Sequence, residues 1–383
     1  MPDTHALLSP SSAHRWLNCT AAPRLEEHIQ DSGSDYAREG TLAHAYCARH
    51  LKSFLGQNTK TEDDEIALLN DEYHTGEMDE YTEVYKSIVL EEYSAAREKT
   101  DDAILLVERR LDFSEYIPDA FGTSDAIVVS DGTMTVIDFK YGKGVVVSAE
   151  KNPQMMIYGL GAYLQYSFDF RIDTIRLMII QPRVGNYSTW EISVKDLLFW
   201  ADNTLRPKAR EAFSGKGEQV PGEWCQFCKV KMRCRRLKDQ CVSAYDSFRD
   251  RLMTVDEIAD VLPLLPQIKV WMTGIEEHAL QLALDGETVK GYKVVAGRSV
   301  RRIIAPECAR KALIGGGYDE DAIMKPRELR TITDLERICG KKTFAALCGD
   351  YIEKPEGKPT LVPVSDKREA INKAADDFKY CLT

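Results

Sequence analysis

The chain has 383 residues, 44% of them hydrophobic and 29% charged, and a formal net charge of −11. That length points to one large core with a smaller appended domain, and the composition excludes collagen-like and intrinsically disordered classes. The negative balance argues against a broad nucleic-acid-binding surface, but it leaves room for a local basic groove that touches nucleic acid transiently.

No apolar run reaches ~18 residues, and the start MPDTHALLSP lacks a basic-then-apolar signal pattern. A cytosolic chain with no membrane contact is therefore expected. Ten cysteines in a reducing compartment speak against a disulfide framework and for metal ligation by some of them.

In chain order, SPSSAHRWLNCTAAPRL reads as a short helix capped by Ser9, Ser11 or Ser12 and leading to Cys19. A second helix is predicted over Tyr36 to Phe54. The acidic stretch from Thr61 to Lys99 reads as a solvated loop followed by a long helix. From Ala103 the apolar period changes to two. AILLVERRL, AIVVS and TMTVIDFK are strands, Asn152 to Gln165 is a helix, and TIRLMIIQP is a further buried strand. This order makes an α/β core.

A cysteine cluster at residues 225–234 follows a helical stretch and the loop SGKGEQVPGEW. Beyond about Tyr245 the character changes. Thr254-Val255-Asp256-Glu257 is a capping box that opens a helical region broken by Pro263 and Pro266. Ile268, Trp271, Ile275, Ala279 and Leu282 recur on one face of its second piece. From Gly291 the chain mixes short strands and helices. A domain boundary is placed near residue 245, giving 1–245 and 246–383.

The segment GTSDAIVVSDGTMTVIDFK carries the clearest chemistry. Asp131-Gly132 between two β-branched runs signals a two-residue type I′ hairpin. With Ser130 paired to Thr133, Asp125 falls opposite Asp138, and directly opposed residues share a face with Cβ atoms about 4.5–5.5 Å apart. Lys140, two residues on, shares that face, while Ile137 and Phe139 point the other way. Two carboxylates forced together need a cation, and a hard divalent ion with oxygen ligands supplies one. A lysine beside it can orient an attacking water or stabilise charge on a phosphate.

Cys225-x2-Cys228-x5-Cys234 offers three thiolates within ten residues, and either Cys19 or Cys241 could complete the set. Spacing alone leaves zinc and an iron–sulfur cluster both open. Cys47, Cys308, Cys339, Cys348 and Cys381 read as small buried hydrophobes. In the C-terminal part, Arg298, Arg301 and Arg302 form one basic patch and Lys367 with Arg368 another. They read as a solvated face or as contacts to a DNA backbone.

Gly122-x-x-Asp125, Asp138-x-Lys140, and Gln154 and Tyr158 on the following helix resemble the RecB-type branch of the PD-(D/E)XK nucleases. His44 in EGTLAHAYC matches that branch's upstream metal-binding histidine. Glu108 matches an acidic position in the strand before the hairpin. The resemblance implies a restriction-endonuclease-like α/β core, with a mixed central sheet flanked by helices, an iron–sulfur-stapled helical extension and a small α+β C-terminal domain. It implies that His44, Asp125 and Asp138 hold Mg2+ or Mn2+ with the Phe139 carbonyl as a further ligand. Lys140 would position the water, and Gln154 and Tyr158, four apart on one helix face, would touch substrate phosphate or buttress Lys140.

The CRISPR-associated and AddB-type nucleases of this branch pair one early cysteine with three late ones around a 4Fe–4S cluster. The resemblance therefore assigns Cys19, Cys225, Cys228 and Cys234 to a staple closing a loop of about 200 residues. The whole chain is similar to a family of phage and prophage proteins through SSAHRWLNC, EGTLAHAYC, GTSDAIVV, IDFKYGKGVVVSAEKNPQMMIYGLGA, GYKVVAGRSVRR and PTLVPVSDKR. This implies exonucleolytic digestion of duplex DNA for recombination, in the company of a single-strand annealing protein, and it leaves a homo-oligomer open. The competing expectations are a non-catalytic DNA-end or partner-binding subunit and a zinc-stapled endonuclease.

Overall fold

The computed structural model describes residues 6–29, 35–246, 254–292, 294 and 311. Its contacts divide the chain at Val295–Ala296, and the description below concerns the first unit. The basic patches at Arg298–Arg302 and Lys367–Arg368, and Cys308, Cys339, Cys348 and Cys381, lie outside the described residues.

The elements are α1 (Ala13–Asn18), α2 (Ala22–Glu26), α3 (Asp35–Phe54), α4 (Lys60–Tyr73) and α5 (Gly76–Lys99), then β1 (Ile104–Asp112), β2 (Phe121–Ser130) and β3 (Gly132–Phe139). They continue with α6 (Pro153–Tyr166), β4 (Ile172–Gln181), β5 (Asn186–Ser193), α7 (Val194–Trp200), α8 (Arg206–Ser214), α9 (Arg235–Asp246), α10 (Val255–Val261) and α11 (Leu265–Leu284). The strands form one mixed sheet in the order β1-β2-β3-β4-β5. Only β3 and β4 are parallel, and α6 makes their crossover, as parallel pairing requires. Among the described residues no helix is long and apolar enough to cross a membrane.

Alternation along the strands builds two cores. Ile127, Val129, Met134 and Val136 pack on one face with Ile157 and Leu160 of α6 and Leu197 of α7. Ala126, Val128, Ile137 and Phe139 pack on the other with Leu42, Leu51, Tyr85 and Val89 of α3 and α5. The run Leu177 to Ile180 in β4 is continuous in apolar residues because both of its faces are covered. Two glycines let α6 lie close to its neighbours. A Cβ at Gly161 would stand 2.3 Å from the Phe113 ring, and one at Gly159 would stand 2.9 Å from Ile175.

The structure departs from the sequence expectations at three points. The hairpin register is the expected one, with Ser130 paired to Thr133. Its turn, however, has a positive φ at Gly132 alone, the pattern of a type II rather than a type I′ turn. Gly132 also donates its N–H to Arg171 O at 2.7 Å, so the neighbouring chain shares in fixing the turn. The acidic stretch expected as a loop begins instead with α4. Buried Ile66 anchors it, and Glu62 is turned inward onto Lys52 of α3. The first predicted helix is α1, which follows Ser12 and ends at Cys19 as expected, where the backbone leaves the helical region. The edge strand β5, Asn186 to Ser193, was not foreseen, although its alternating burial is plain.

Near residue 245 the chain continues within the first unit, which runs to Val295. The segment beyond it packs back on the cysteine cluster, with Ile268 and Trp271 of α11 against Cys225, Leu237 and Cys241. Gly274 is buried there, facing Lys231 and Met232, while Ile275 is turned outward.

Arg183, just after β4, ties the layers together. Its guanidinium reaches Glu39 of α3 at 3.2 Å and Glu77 of α5 at 3.1 Å, and it lies over the Tyr141 ring.

Candidate metal centre

The β2–β3 ladder runs from Ser130↔Thr133 to Ala126↔Ile137. One step further, where Asp125 and Asp138 were expected to face each other, the pairing ends. The Phe139 N–H donates instead to Asp125 Oδ2 at 2.7 Å. Asp125 thus substitutes a side-chain acceptor for a backbone one, and the strands part at the point where both carboxylates sit.

Glu108 stands across from Asp125 on the other side. It is missing from the β1–β2 pairing between Val107↔Ala126 and Arg109↔Ser124, and it has a left-handed φ of 49°. A non-glycine residue held there carries backbone strain of order 1–3 kcal/mol, which the surrounding structure must impose.

From α3, His44 Nδ1 lies 3.0 Å from Asp125 Oδ1, and its ring stands edge-on to Phe139. Ligand atoms of His44, Glu108 and Asp125 all lie within 4.8 Å of one another. One imidazole nitrogen and two carboxylate oxygens suit a hard divalent cation such as Mg2+ or Mn2+, so the residues present fit the ion.

Asp138 forms a second group beside the first. Its Oδ1 accepts from Gln154 Nε2 at 3.0 Å, and its Oδ2 stands 3.0 Å from Lys140 Nζ. Among the described residues this buried oxygen has no partner with hydrogen-bond alignment, and the Lys140 contact is an ion pair. Lys140 Nζ donates to Gln154 Oε1 at 3.1 Å, closing a triangle. Gln154 is placed by the Asn152 cap of α6, whose side chain accepts from the N–H groups of Gln154 and Met155. Tyr158, one turn on, packs on Phe113. A Cβ at Gly122 would meet the Tyr158 ring at 3.0 Å, so the glycine makes room for the tyrosine. Phe139 reaches the site through its N–H; a ligand role for its carbonyl belongs to the proposal below.

Three carboxylates and two cationic groups share this space. Burial opposes charge on His44, but Asp125 outweighs it and the imidazole is pushed up to about 9. Burial, with Asp125 beside it, pushes Glu108 up to about 8. Asp125 stays below the usual carboxylate range because His44 and the Phe139 N–H overcome its burial. Asp138 is raised by burial, with Lys140 pulling against it and Asp125 adding to it. Burial would lower Lys140, and Asp138 keeps it above its ordinary value. Burial and then the Asp138 and Asp125 charges raise the Tyr158 phenol.

Sequence reasoning missed three neighbours. Lys52 lies two turns past His44 on α3, pairs with Glu62, and pulls against the upward shift of the Glu108 carboxyl. The spacing of eight on one helix was the available signal. Ser124, beside Asp125, is buried with an unpartnered hydroxyl. Tyr85 is buried against Phe139.

The cysteines gather elsewhere in the same unit. Cys19, Cys225, Cys228 and Cys234 line one cavity together with Arg15 and Trp224. Cys241 is not on that lining; it packs with Cys225 and Leu237 in the adjoining apolar cluster. Cys47 is buried, as expected of a small hydrophobe. The chain around Cys19 is zipped to the late segment. Ala21 N–H donates to Glu218 O at 3.2 Å and Glu218 N–H to Thr20 Oγ1 at 3.1 Å. Arg15 joins Glu26 at 2.9 Å and Phe227 O at 2.9 Å. Among the described residues no three cysteine sulfurs lie within 4.8 Å of one another. Four thiolates on one zinc, with bonds of about 2.3 Å, would be closer than that.

A sequence-family model described as "Protein of unknown function (DUF2800)" matches residues 5–369. A solved structure titled "Crystal structure of SSO0001" aligns with 56% of this chain and 94% of its own length, at 16% identity and a TM-score of 0.23. That likeness is too low to bear on the fold.

Proposed function

We propose that this chain, which belongs to the DUF2800 family, is a metal-dependent deoxyribonuclease of the PD-(D/E)XK type that hydrolyses phosphodiester bonds. The observation that carries the reading is the convergence of five separate elements, α3, β1, β2, β3 and α6, on one spot. His44, Glu108 and Asp125 form a ligand-distance group beside the Asp138–Lys140–Gln154 triangle.

His44, Asp125 and Asp138, with Glu108 adjoining and the Phe139 carbonyl as a further donor, would hold Mg2+ or Mn2+. When bound, the ion supplies Lewis acidity toward a phosphate oxygen and makes hydroxide available near neutral pH. The protein's own groups do the rest. Lys140, kept protonated by Asp138, offers a fixed positive charge to the phosphate. Gln154 holds both Lys140 and Asp138 in place. Tyr158 stays protonated and presents a hydroxyl to the same space. Water adds to phosphorus and gives up a proton to solvent, the bond to one sugar oxygen breaks, and the leaving oxygen takes up a proton.

The four cysteines on one cavity support a staple between the two ends of this unit. The family resemblance favours a 4Fe–4S cluster over a single zinc, and the shared cavity lining favours Cys19 over Cys241 as the fourth ligand. Exonucleolytic action on duplex DNA, a phage recombination setting and an annealing-protein partner extend the reading along the family resemblance.

A gel assay of purified protein with Mg2+ or Mn2+ on end-labelled linear and on circular DNA tests the proposal. Cleavage of the linear substrate, abolished by Asp138→Ala or Lys140→Ala in folded protein, is expected. No cleavage of single-stranded, duplex or nicked DNA would sink it.

A further inference from the structure

Cys19 lies in the bend between α1 and α2. Its N–H donates to Arg15 O at 2.8 Å and its carbonyl accepts from Ala22 N–H at 3.0 Å, so its backbone is tied to both helices. Each helix also sends one side chain across to the late cysteine loop. From α1, Arg15 Nη1 donates to Phe227 O at 2.9 Å. From α2, Glu26 accepts from Lys229 N–H at 2.6 Å. Phe227 and Lys229 are the two neighbours of Cys228 in the chain. Arg15 Nη2 closes the arrangement with an ion pair to Glu26 at 2.9 Å.

Both charged groups are largely out of water, with 19% of the Arg15 side chain and 8% of Glu26 exposed. A buried ion pair gains little net stability over apolar packing of the same volume, while removing one partner is costly. None of these three contacts uses a sulfur, so all persist whether the thiols are free or bound. The planar guanidinium makes two of them at once, in directions that a lysine ammonium does not match. Cys228 N–H donates in turn to Cys225 O at 3.1 Å, so what grips Cys228 also carries Cys225.

We infer that Arg15 and Glu26 are positioning residues for the iron–sulfur cluster. They grip the backbone on both sides of Cys228 and set its place against Cys19, so that thiolates from the two ends of the unit meet on one cavity. This rests on the cluster reading and deepens it by naming what aligns ligands so far apart in the chain.

The test uses the full chain, with Arg24→Ala as its control. Arg24 also ties α2 to a distant carbonyl, Phe213 O, at 2.8 and 2.6 Å, but makes none of the contacts beside Cys228. In one arm, chelator-treated protein is alkylated with iodoacetamide and labelling of Cys228 is followed by mass spectrometry. Arg15→Leu is expected to raise that rate about tenfold, with Arg24→Ala unchanged. Glu26→Gln, which keeps an acceptor for Lys229 N–H, is expected to stay near the wild-type rate.

In the other arm, the protein is reconstituted anaerobically with ferrous iron and sulfide. Wild-type protein, Arg24→Ala and Glu26→Gln are expected to take up about four iron atoms per chain, with absorbance near ~400 nm. Arg15→Leu is expected to lose that absorbance to a chelator about tenfold faster. Equal Cys228 labelling in wild-type protein and Arg15→Leu, an equal rise in Arg24→Ala, or equal loss of absorbance to chelator overturns the positioning role. Wild-type protein that takes up zinc and no iron, with Cys228 labelling still dependent on Arg15, leaves the alignment standing and overturns the cluster reading instead.

Discussion

Asp138 is buried, and its carboxyl is raised by that burial and by Asp125. Its Oδ2 is ion-paired to Lys140 without hydrogen-bond alignment. A group whose folded pKa lies above its unfolded value destabilises the folded state wherever it must ionise. Asp138→Asn is therefore expected to leave the Tm of metal-free protein at pH 7 equal or higher, while cutting cleavage by about 10²–10³-fold or more. A clear drop in Tm would show that Asp138 is structural. Metal binding should also be linked to protons. His44, at about 9, and Glu108, at about 8, carry protons at pH 7 that a cation must displace. Mn2+ affinity is expected to climb from pH 6 and to level off above about pH 9. Titration calorimetry in buffers of different ionisation enthalpy measures the released protons, and an affinity flat across that range contradicts the ligand set.

At the scale of elements, the site exists because two ladders are interrupted side by side. β1 loses its pairing at Glu108 and β2–β3 loses it after Ala126↔Ile137, and the freed backbone positions turn carboxylates toward α3 and α6. The hairpin register could be read from the Asp131-Gly132 turn and the β-branched runs, because side-chain period and turn length leave one pairing. The interruptions could not, since they depend on Phe139 N–H choosing Asp125 over a backbone carbonyl. The position of α4 was hidden for a similar reason: its acidic residues look solvated until Lys52 is known to face Glu62. β5 was legible in its alternation and was overlooked. Helix packing gives a further prediction. Gly161→Ala would drive a methyl into Phe113 and is expected to destabilise the protein by about 1–3 kcal/mol in denaturant melts. Gly132→Ala, at φ +83° but with nothing within 4 Å, should cost about 1 kcal/mol from backbone strain alone.

Across the whole unit, the early helices and the late cysteine segment bracket the sheet and its two cores. The contacts of Arg15, Thr20 and Ala21 with residues 218–227 already join them, and a cluster on Cys19, Cys225, Cys228 and Cys234 would lock that junction. Closing a loop of about 200 residues limits the unfolded chain strongly, on the order of 4–5 kcal/mol in the chain-entropy account used for disulfides. Cys19→Ser is expected to lower the Tm of anaerobically purified protein by about 10 °C, to bleach absorbance near ~400 nm, and to expose the N-terminal segment to protease. Metal analysis showing zinc alone would overturn the cluster. The cysteine motif was visible in the sequence, where spacing left Cys19 and Cys241 both open and the family resemblance pointed to Cys19; the fold puts Cys19 on the cavity lined by Cys225, Cys228 and Cys234, and Cys241 in the adjoining apolar cluster. The proposed metal centre lies between α3, β1, the hairpin and α6. Its most direct test is cleavage of end-labelled linear DNA by wild-type protein and by Asp138→Asn, each with Mn2+ and with chelator. Cleavage only by wild-type protein with Mn2+ is the expected result; equal cleavage by the variant, or none by either, would contradict the account.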